Sequence, residues 1–341
     1  MLVVRSAPSP LPAPSPLPAP SPLPAPSRGP APGWRRRVPP SRHLVAGVLA
    51  LGLGISVLAA AASSAAAAPG AAATHSHTRY YVSLGDSYAV GFQPSPVPGP
   101  TAGYTATVAR ATHLRLANFG CGGATTTSIL QHVGCTKPYG PTAATGAVAY
   151  PHQTQAAAAV AFLRHHRGEI GLITVSIGGN DITHCAAESN PTTCLLGVLP
   201  VVQKNVKALA SRLRAAAGPH VPLIGLTYPD VLLGLWVYPS GHPDQALAKL
   251  SVTAFKDIVN PTLARAYASA HASFLDVTKD AGSFIPLSQL TTLAPYGSVP
   301  VAVARTCTLT WYCRVGNIHA TTAGYMLIGR AIVARYRSLA H

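Results

Sequence analysis

Acidic side chains are scarce in this sequence: nine Asp and Glu stand against 25 Lys and Arg in 341 residues. None of the nine precedes Asp86 and none follows Asp280. From about His75 onward, 19 basic residues face all nine acidic ones, a net charge of +10. Such a surface suits anionic lipid or cell-wall polymer. Dense basic runs are also missing from this part, and so no nucleic-acid partner is expected. Cysteine is absent before Cys121, and no Cys-x-x-Cys or histidine at ligand spacing follows, which argues against a zinc site. Methionine is absent between Met1 and Met326.

What is present begins with a segment that does not read as folding material. Residues 7–24 repeat Ala-Pro-Ser-Pro-Leu-Pro three times. Proline lacks an amide donor and favours polyproline II, so residues 1–33 are read as a low-complexity tail or as the product of a start codon placed too far upstream. Arg35, Arg36, Arg37 and Arg42 then precede an apolar segment, Leu44 to about Ala62, and an alanine-rich tract. Basic, apolar and small residues in that order make 34–70 a secretory signal region. The alternative is an uncleaved anchor, since the apolar run is nearly long enough to span a membrane. Its Ala and Gly content makes it weakly apolar, and cleavage with secretion is expected. The arginines are followed by Val-Pro-Pro, a poor match to a twin-arginine signal.

Residues 75–341 have the size of one α/β domain. All six cysteines lie there in three close pairs. In an exported chain the simplest connectivity is Cys121–Cys135, Cys185–Cys194 and Cys307–Cys313.

Along this part, strand-like and helix-like patterns alternate. Strands are expected at Tyr80–Leu84, Leu114–Phe119, Ile170–Ile177, Val221–Thr227 and Ser273–Val277. Helices are expected at 104–113, 153–166, 201–217, 245–270 with a break near Pro261, and 322–338. Alternation of this kind predicts a parallel sheet with helices on both faces. The carboxyl ends of its strands then share one edge, where α/β folds bind ligands. Gly85-Asp86-Ser87, Gly120 to Thr126 and Gly178-Gly179-Asn180-Asp181 each follow a strand, and His319 lies just before the last helix. Taken singly, Ser87 reads as a helix cap and the glycines as a tight turn; the shared edge makes Ser87 a candidate nucleophile and His319 a candidate base.

Together these stretches resemble the GDSL or SGNH hydrolase family, in particular its secreted bacterial esterase and lipase branch. Gly85-Asp86-Ser87-Tyr88 is similar to the nucleophile block, Asn118 to Thr126 to the oxyanion-glycine block, Gly179-Asn180-Asp181 to the asparagine block, and His319 with Ala323-Gly324-Tyr325 to the histidine block. The Gly-x-Ser-x-Gly elbow of α/β-hydrolases is absent. The resemblance implies the SGNH fold, a flavodoxin-like three-layer sandwich of α/β class. It also implies a serine nucleophile at Ser87, a base at His319, and an oxyanion hole from the amides of Ser87 and Gly123 and the side chain of Asn180. Asp86 and Asp181 are read as turn-holding residues.

Two positions depart from the family pattern. The aspartate usually three residues before the histidine is replaced by Gly316, and no carboxylate occurs between 281 and 341. A Ser-His dyad is therefore expected, with the imidazole oriented by the main-chain carbonyl of Gly316 or a neighbour; the rival is a distant carboxylate, Asp276 or Asp280. Ala320 stands where proline is common. The expected activity is that of a monomeric secreted lipase or carboxylesterase acting on lipid or small acyl esters, with transient contact to a lipid surface or cell wall and no metal or organic cofactor. Leu232, Leu233, Leu235 and Trp236 are expected either to line an acyl pocket or to fill core. The alternatives are a carbohydrate or cell-wall acetylesterase and a non-catalytic binding domain of the same fold.

Overall fold

A run of β-branched and aromatic residues, Tyr80–Gly85, forms strand β1 at the interior of a parallel sheet. The computed structural model describes residues 79–94, 103–135, 144–239 and 244–339. The chain divides after Ala71, and the unit from Ala72 is described by itself. The proline repeat, the 34–70 segment, the domain start at 75 and most of the proline-rich loop after Gln93 lie outside the described residues.

β1 pairs on one side with β2 (Arg115–Asn118) and on the other with β3 (Ile170–Ser176), followed by β4 (Leu223–Leu226) and β5 (Ser273–Leu275). All pairs are parallel and the order is β2-β1-β3-β4-β5. The chain leaves β1 to one side and returns to the other, so the crevice between the carboxyl ends of β1 and β3 is the topological switch point. Every residue of β3 is buried, as a strand covered on both faces requires.

The helices are α1 (Ser87–Val90), α2 (Tyr104–Thr112), α3 (Ser128–Gln131), α4 (Gln155–His165), α5 (Gly179–Ile182), α6 (Pro191–Ala217), α7 (Gln245–Thr253), α8 (Asn260–Ala268), α9 (Val277–Asp280), α10 (Val301–Leu309), α11 (Tyr312–Val315) and α12 (Thr322–Leu339). Alternation along β1 sends Val82 and Leu84 into one core with α4, α6 and α8, and Tyr81 into a second core with α2 and α12. Three layers result. Among the described residues no helix is long and apolar enough to cross a membrane.

The expected strands agree with the observed ones to within two residues, and besides the one-turn helices α3, α5 and α9 the chain departs from the expected pattern in three larger places. α6 begins at Pro191, ten residues before the expected start, because Asn190 caps it by accepting from the Thr193 amide at 3.0 Å and Pro191 suits the first turn. Pro200 is carried inside the helix. The break near Pro261 is a π-helical turn, Ala254–Val259, that joins α7 to α8. Third, the chain between α9 and α12, where no element is expected, folds as an antiparallel hairpin of β6 (Leu290–Leu293) and β7 (Gly297–Pro300) followed by α10 and α11. α10 reads Val-Ala-Val-Ala-Arg-Thr-Cys-Thr-Leu, weak in helix propensity. Burial of Ala302, Val303 and Cys307 against Leu233 and Val237 in a third core overrides it. Disulfides join Cys121 to Cys135, Cys185 to Cys194 and Cys307 to Cys313.

Gly85 ends β1 with φ 142°, and a Cβ there would collide with the Ser176 carbonyl oxygen. Only glycine lets β1 lie this close to β3 at the switch point. Clash and backbone strain together predict that Gly85→Ala destabilises the fold by more than about 3 kcal/mol, read as a lowered Tm.

Candidate active site

Ser87 is the first residue of α1, at the carboxyl end of β1, and is 7% exposed. It is not the cap: Asp86 caps α1, accepting from the Tyr88 amide at 2.9 Å. The second oxygen of Asp86 accepts from the Tyr228 hydroxyl at 2.6 Å, and burial pushes the carboxyl up to about 7 against those hydrogen bonds. Gln155 of α4 clamps the same turn, accepting from the Gly85 amide at 2.7 Å and donating to the Gly85 carbonyl at 3.0 Å. The Ser87 hydroxyl is left for another partner.

That partner is His319, whose Nε2 lies 2.7 Å from Ser87 Oγ across 232 positions of sequence. On the other side of the ring, Nδ1 lies 2.7 Å from Oδ1 of Asn317. The same Oδ1 accepts from the His319 main-chain amide at 3.1 Å. A main-chain N–H only donates, so the Asn317 atom facing it is the oxygen, and Nδ1 must carry the ring proton. Nε2 then presents a lone pair and the Ser87 hydroxyl donates to it. Burial alone lowers the imidazole to about 4, so the ring is neutral at pH 7.

The expected orienter is therefore corrected. It is the side chain of Asn317, not the carbonyl of Gly316, that faces Nδ1. Gly316 caps α11 in the left-handed region, φ 65°, and a Cβ there would come within 2.7 Å of Tyr238 Cε1, which closes this position to an aspartate without movement of the tyrosine ring. The rival carboxylates lie on another element: Asp276 caps α9, accepting from Lys279 N at 2.8 Å and Asn260 Nδ2 at 2.7 Å, and Asp280 is the last residue of that helix. The sequence did carry a signal for Asn317, since an Asn two residues before another residue commonly closes a turn on its amide.

Asn180, in α5 after β3, lines the same crevice as Ser87. One side-chain hydrogen of Asn180 is committed to the Ala124 carbonyl at 2.9 Å, which fixes the amide against the loop containing Gly123 and leaves its second hydrogen for a ligand. Asp181 braces that loop by accepting from the Thr126 amide at 2.8 Å and its hydroxyl at 2.7 Å. Among the described residues, His184, Cys185 and Cys194 form the one cluster of metal-ligand type, but its two sulfurs are joined as a disulfide and offer no thiolate.

A model of the GDSL-like lipase/acylhydrolase family matches residues 83–327, well over half of the chain and every residue just described. The chain belongs to the GDSL-like lipase/acylhydrolase family. No curated protein matches it. Among solved structures it is similar to phospholipase A1 from Streptomyces albidoflavus NA297, at 16% identity and a TM-score of 0.46 over 76% of this chain and 98% of that one. An extracellular lipase from Streptomyces rimosus is similar at 18% identity and a TM-score of 0.47, over 75% and 98% of the two chains. This GDSL-family chain replaces the leucine of the name with Tyr88. The Tyr88 hydroxyl donates to the Ile318 carbonyl at 2.6 Å, tying the serine turn to the histidine loop.

Proposed function

We propose that the chain is a secreted serine ester hydrolase, a lipase or carboxylesterase that works as a monomer without metal or organic cofactor. The observation that carries this reading is the 2.7 Å contact between Ser87 Oγ and the lone-pair nitrogen of His319. Ser87 attacks the ester carbonyl while Nε2 takes the hydroxyl proton, then returns it to the departing alcohol oxygen. The acyl-enzyme is released by water along the reverse path. The amides of Ser87 and Gly123 and the free hydrogen of Asn180 receive the oxyanion. Export is supported by the order of basic, apolar and small residues before 71 and by the three disulfides.

An acyl substrate is favoured over a glycan by what adjoins the crevice. A narrow apolar groove shares Ile182, Thr183, Val231 and Phe255 with it and continues to Leu195, Leu232 and Leu250. Of the groove's lining side chains only Thr183, Thr192 and Ser251 carry a hydroxyl, and Ser251 already donates to Asp230 at 2.8 Å. A sugar ring would find few partners there, whereas a hydrocarbon chain is matched. Of the four residues expected at an acyl pocket, Leu232 lines this groove, while Leu233 is wholly buried in the third core.

A p-nitrophenyl ester series tests the reading. We expect kcat/KM to rise above the acetyl ester by up to about fourfold per added methylene until the groove is filled. Leu250→Asp, at the groove's exposed rim, should flatten that rise and leave acetyl ester hydrolysis unchanged. Acetate release from acetylated glycans with no gain beyond short chains would select the carbohydrate esterase instead.

A further inference from the structure

We infer that Asn317 is the positioning residue of this site, a neutral amide oxygen that holds the imidazole in its Nδ1–H tautomer where the family pattern has a carboxylate. The inference rests on the hydrolase reading and adds a role for a residue that the sequence blocks do not contain.

Three features give Asn317 this role. Gly316 turns the chain in a left-handed conformation where a side chain would displace the Tyr238 ring, and the group that faces Nδ1 comes instead from the next residue. Asn317, one residue on, folds back in an Asx turn whose single oxygen receives both the His319 amide and its ring nitrogen, at 3.1 and 2.7 Å. The rest of the loop is pinned independently: the His319 carbonyl accepts from the Trp311 amide at 2.9 Å, and the Ile318 carbonyl accepts from Tyr88 at 2.6 Å. The loop backbone therefore has supports of its own, and what Asn317 adds is control over the ring.

The titratable groups around His319 carry no charge that replaces an aspartate. Tyr88 stacks at 5.9 Å, Tyr325 of α12 donates to the Phe92 carbonyl at 2.7 Å, and Asp86 lies behind Ser87 with both oxygens occupied by Tyr88 N and Tyr228. From α11 the neighbouring cation is Arg314, placed over Trp311. An amide oxygen fixes the tautomer and ring angle but contributes no full charge to the imidazolium formed during attack. The consequence is a base that stays unprotonated in acid, at the expense of some transition-state stabilisation.

The test compares Asn317→Ala and Asn317→Asp in the whole protein, with kcat, KM and the pH profile of kcat/KM on a p-nitrophenyl ester. We expect Asn317→Ala to lower kcat about 10- to 100-fold with KM unchanged, since the ring is then free to turn or to change tautomer. Asn317→Asp has the same shape and adds a negative charge at the ring. It should retain at least wild-type kcat and move the acid limb of the profile upward by about 1 pH unit or more, because a nearby anion favours the protonated imidazole. Should Asn317→Ala fold poorly, the acid limb of the isosteric Asn317→Asp decides alone. Full kcat in Asn317→Ala, or an acid limb in Asn317→Asp that stays in place, overturns the inference. Either result leaves the hydrolase reading intact so long as Ser87→Ala is inactive; activity in Ser87→Ala would sink that reading instead.

Discussion

Ser87→Ala is expected to lower kcat on a p-nitrophenyl ester by about 10⁴- to 10⁶-fold, the range seen when a serine nucleophile is removed from a preformed hydrolytic site. The loss should come without loss of fold. Asp86, not Ser87, caps α1, and Gln155 holds both main-chain groups of Gly85, so the turn keeps its supports when the hydroxyl is gone. Among the described residues, the side-chain hydrogen bond of Ser87 is to His319. Its removal leaves Nε2 facing a crevice where water can bond to it. A Tm near the wild-type value together with absent covalent labelling by a fluorophosphonate separates lost chemistry from lost structure. Residual hydrolysis above the uncatalysed rate is still expected, since oxyanion donors and the groove act on a water attack as well. Labelling of Ser87 in wild type also decides against the non-catalytic alternative, for which the missing aspartate was the argument. Wild-type turnover in Ser87→Ala would move the nucleophile elsewhere.

The sequence carried the sheet because each strand of a doubly covered sheet is a short apolar run with nothing helical about it, and Ile170 to Ser176 is the clearest case. From alternation alone the shared carboxyl edge follows, and with it the meeting of Ser87 and Asn180. The histidine loop was legible by position, whereas its partner Asn317 was legible only as a turn-forming residue and not as the group that faces the ring. Which group faces Nδ1 depends on a left-handed Gly316 and on a tyrosine, Tyr238, that is 78 positions away and occupies the space beside it. Local pattern does not report a neighbour so distant. Similarly, Pro200 is a strong local stop signal that burial of Leu199 and Val202 on the same helix overrides. The region between α9 and α12 was unread for the converse reason: its residues have weak preferences, and packing against Leu233 decides their shape.

His319→Ala is the second large effect, a fall in kcat of about 10²- to 10⁴-fold, the contribution of a positioned general base. It should be smaller than the loss in Ser87→Ala, because a serine hydroxyl without its base still attacks slowly. The pH profile of the wild type gives the same residue an independent signature. Burial lowers the His319 imidazole from 6.5 to about 4. Protonated, Nε2 has no lone pair to accept the Ser87 proton, so activity is lost on the acid side. kcat/KM should therefore stay level from neutral pH to about 5 and fall about tenfold per pH unit below about 4. Stability carries the matching sign. Between 6.5 and about 4 the unfolded histidine takes up a proton that the folded one refuses, so the fold loses stability as pH falls through that window, and His319→Ala should lose less. An acid limb near the ordinary histidine value of about 6.5 would mean that the ring is more solvated in solution than its packing beneath Phe92 at 4.4 Å indicates. Near-wild-type rates in His319→Ala would remove the base from the mechanism altogether.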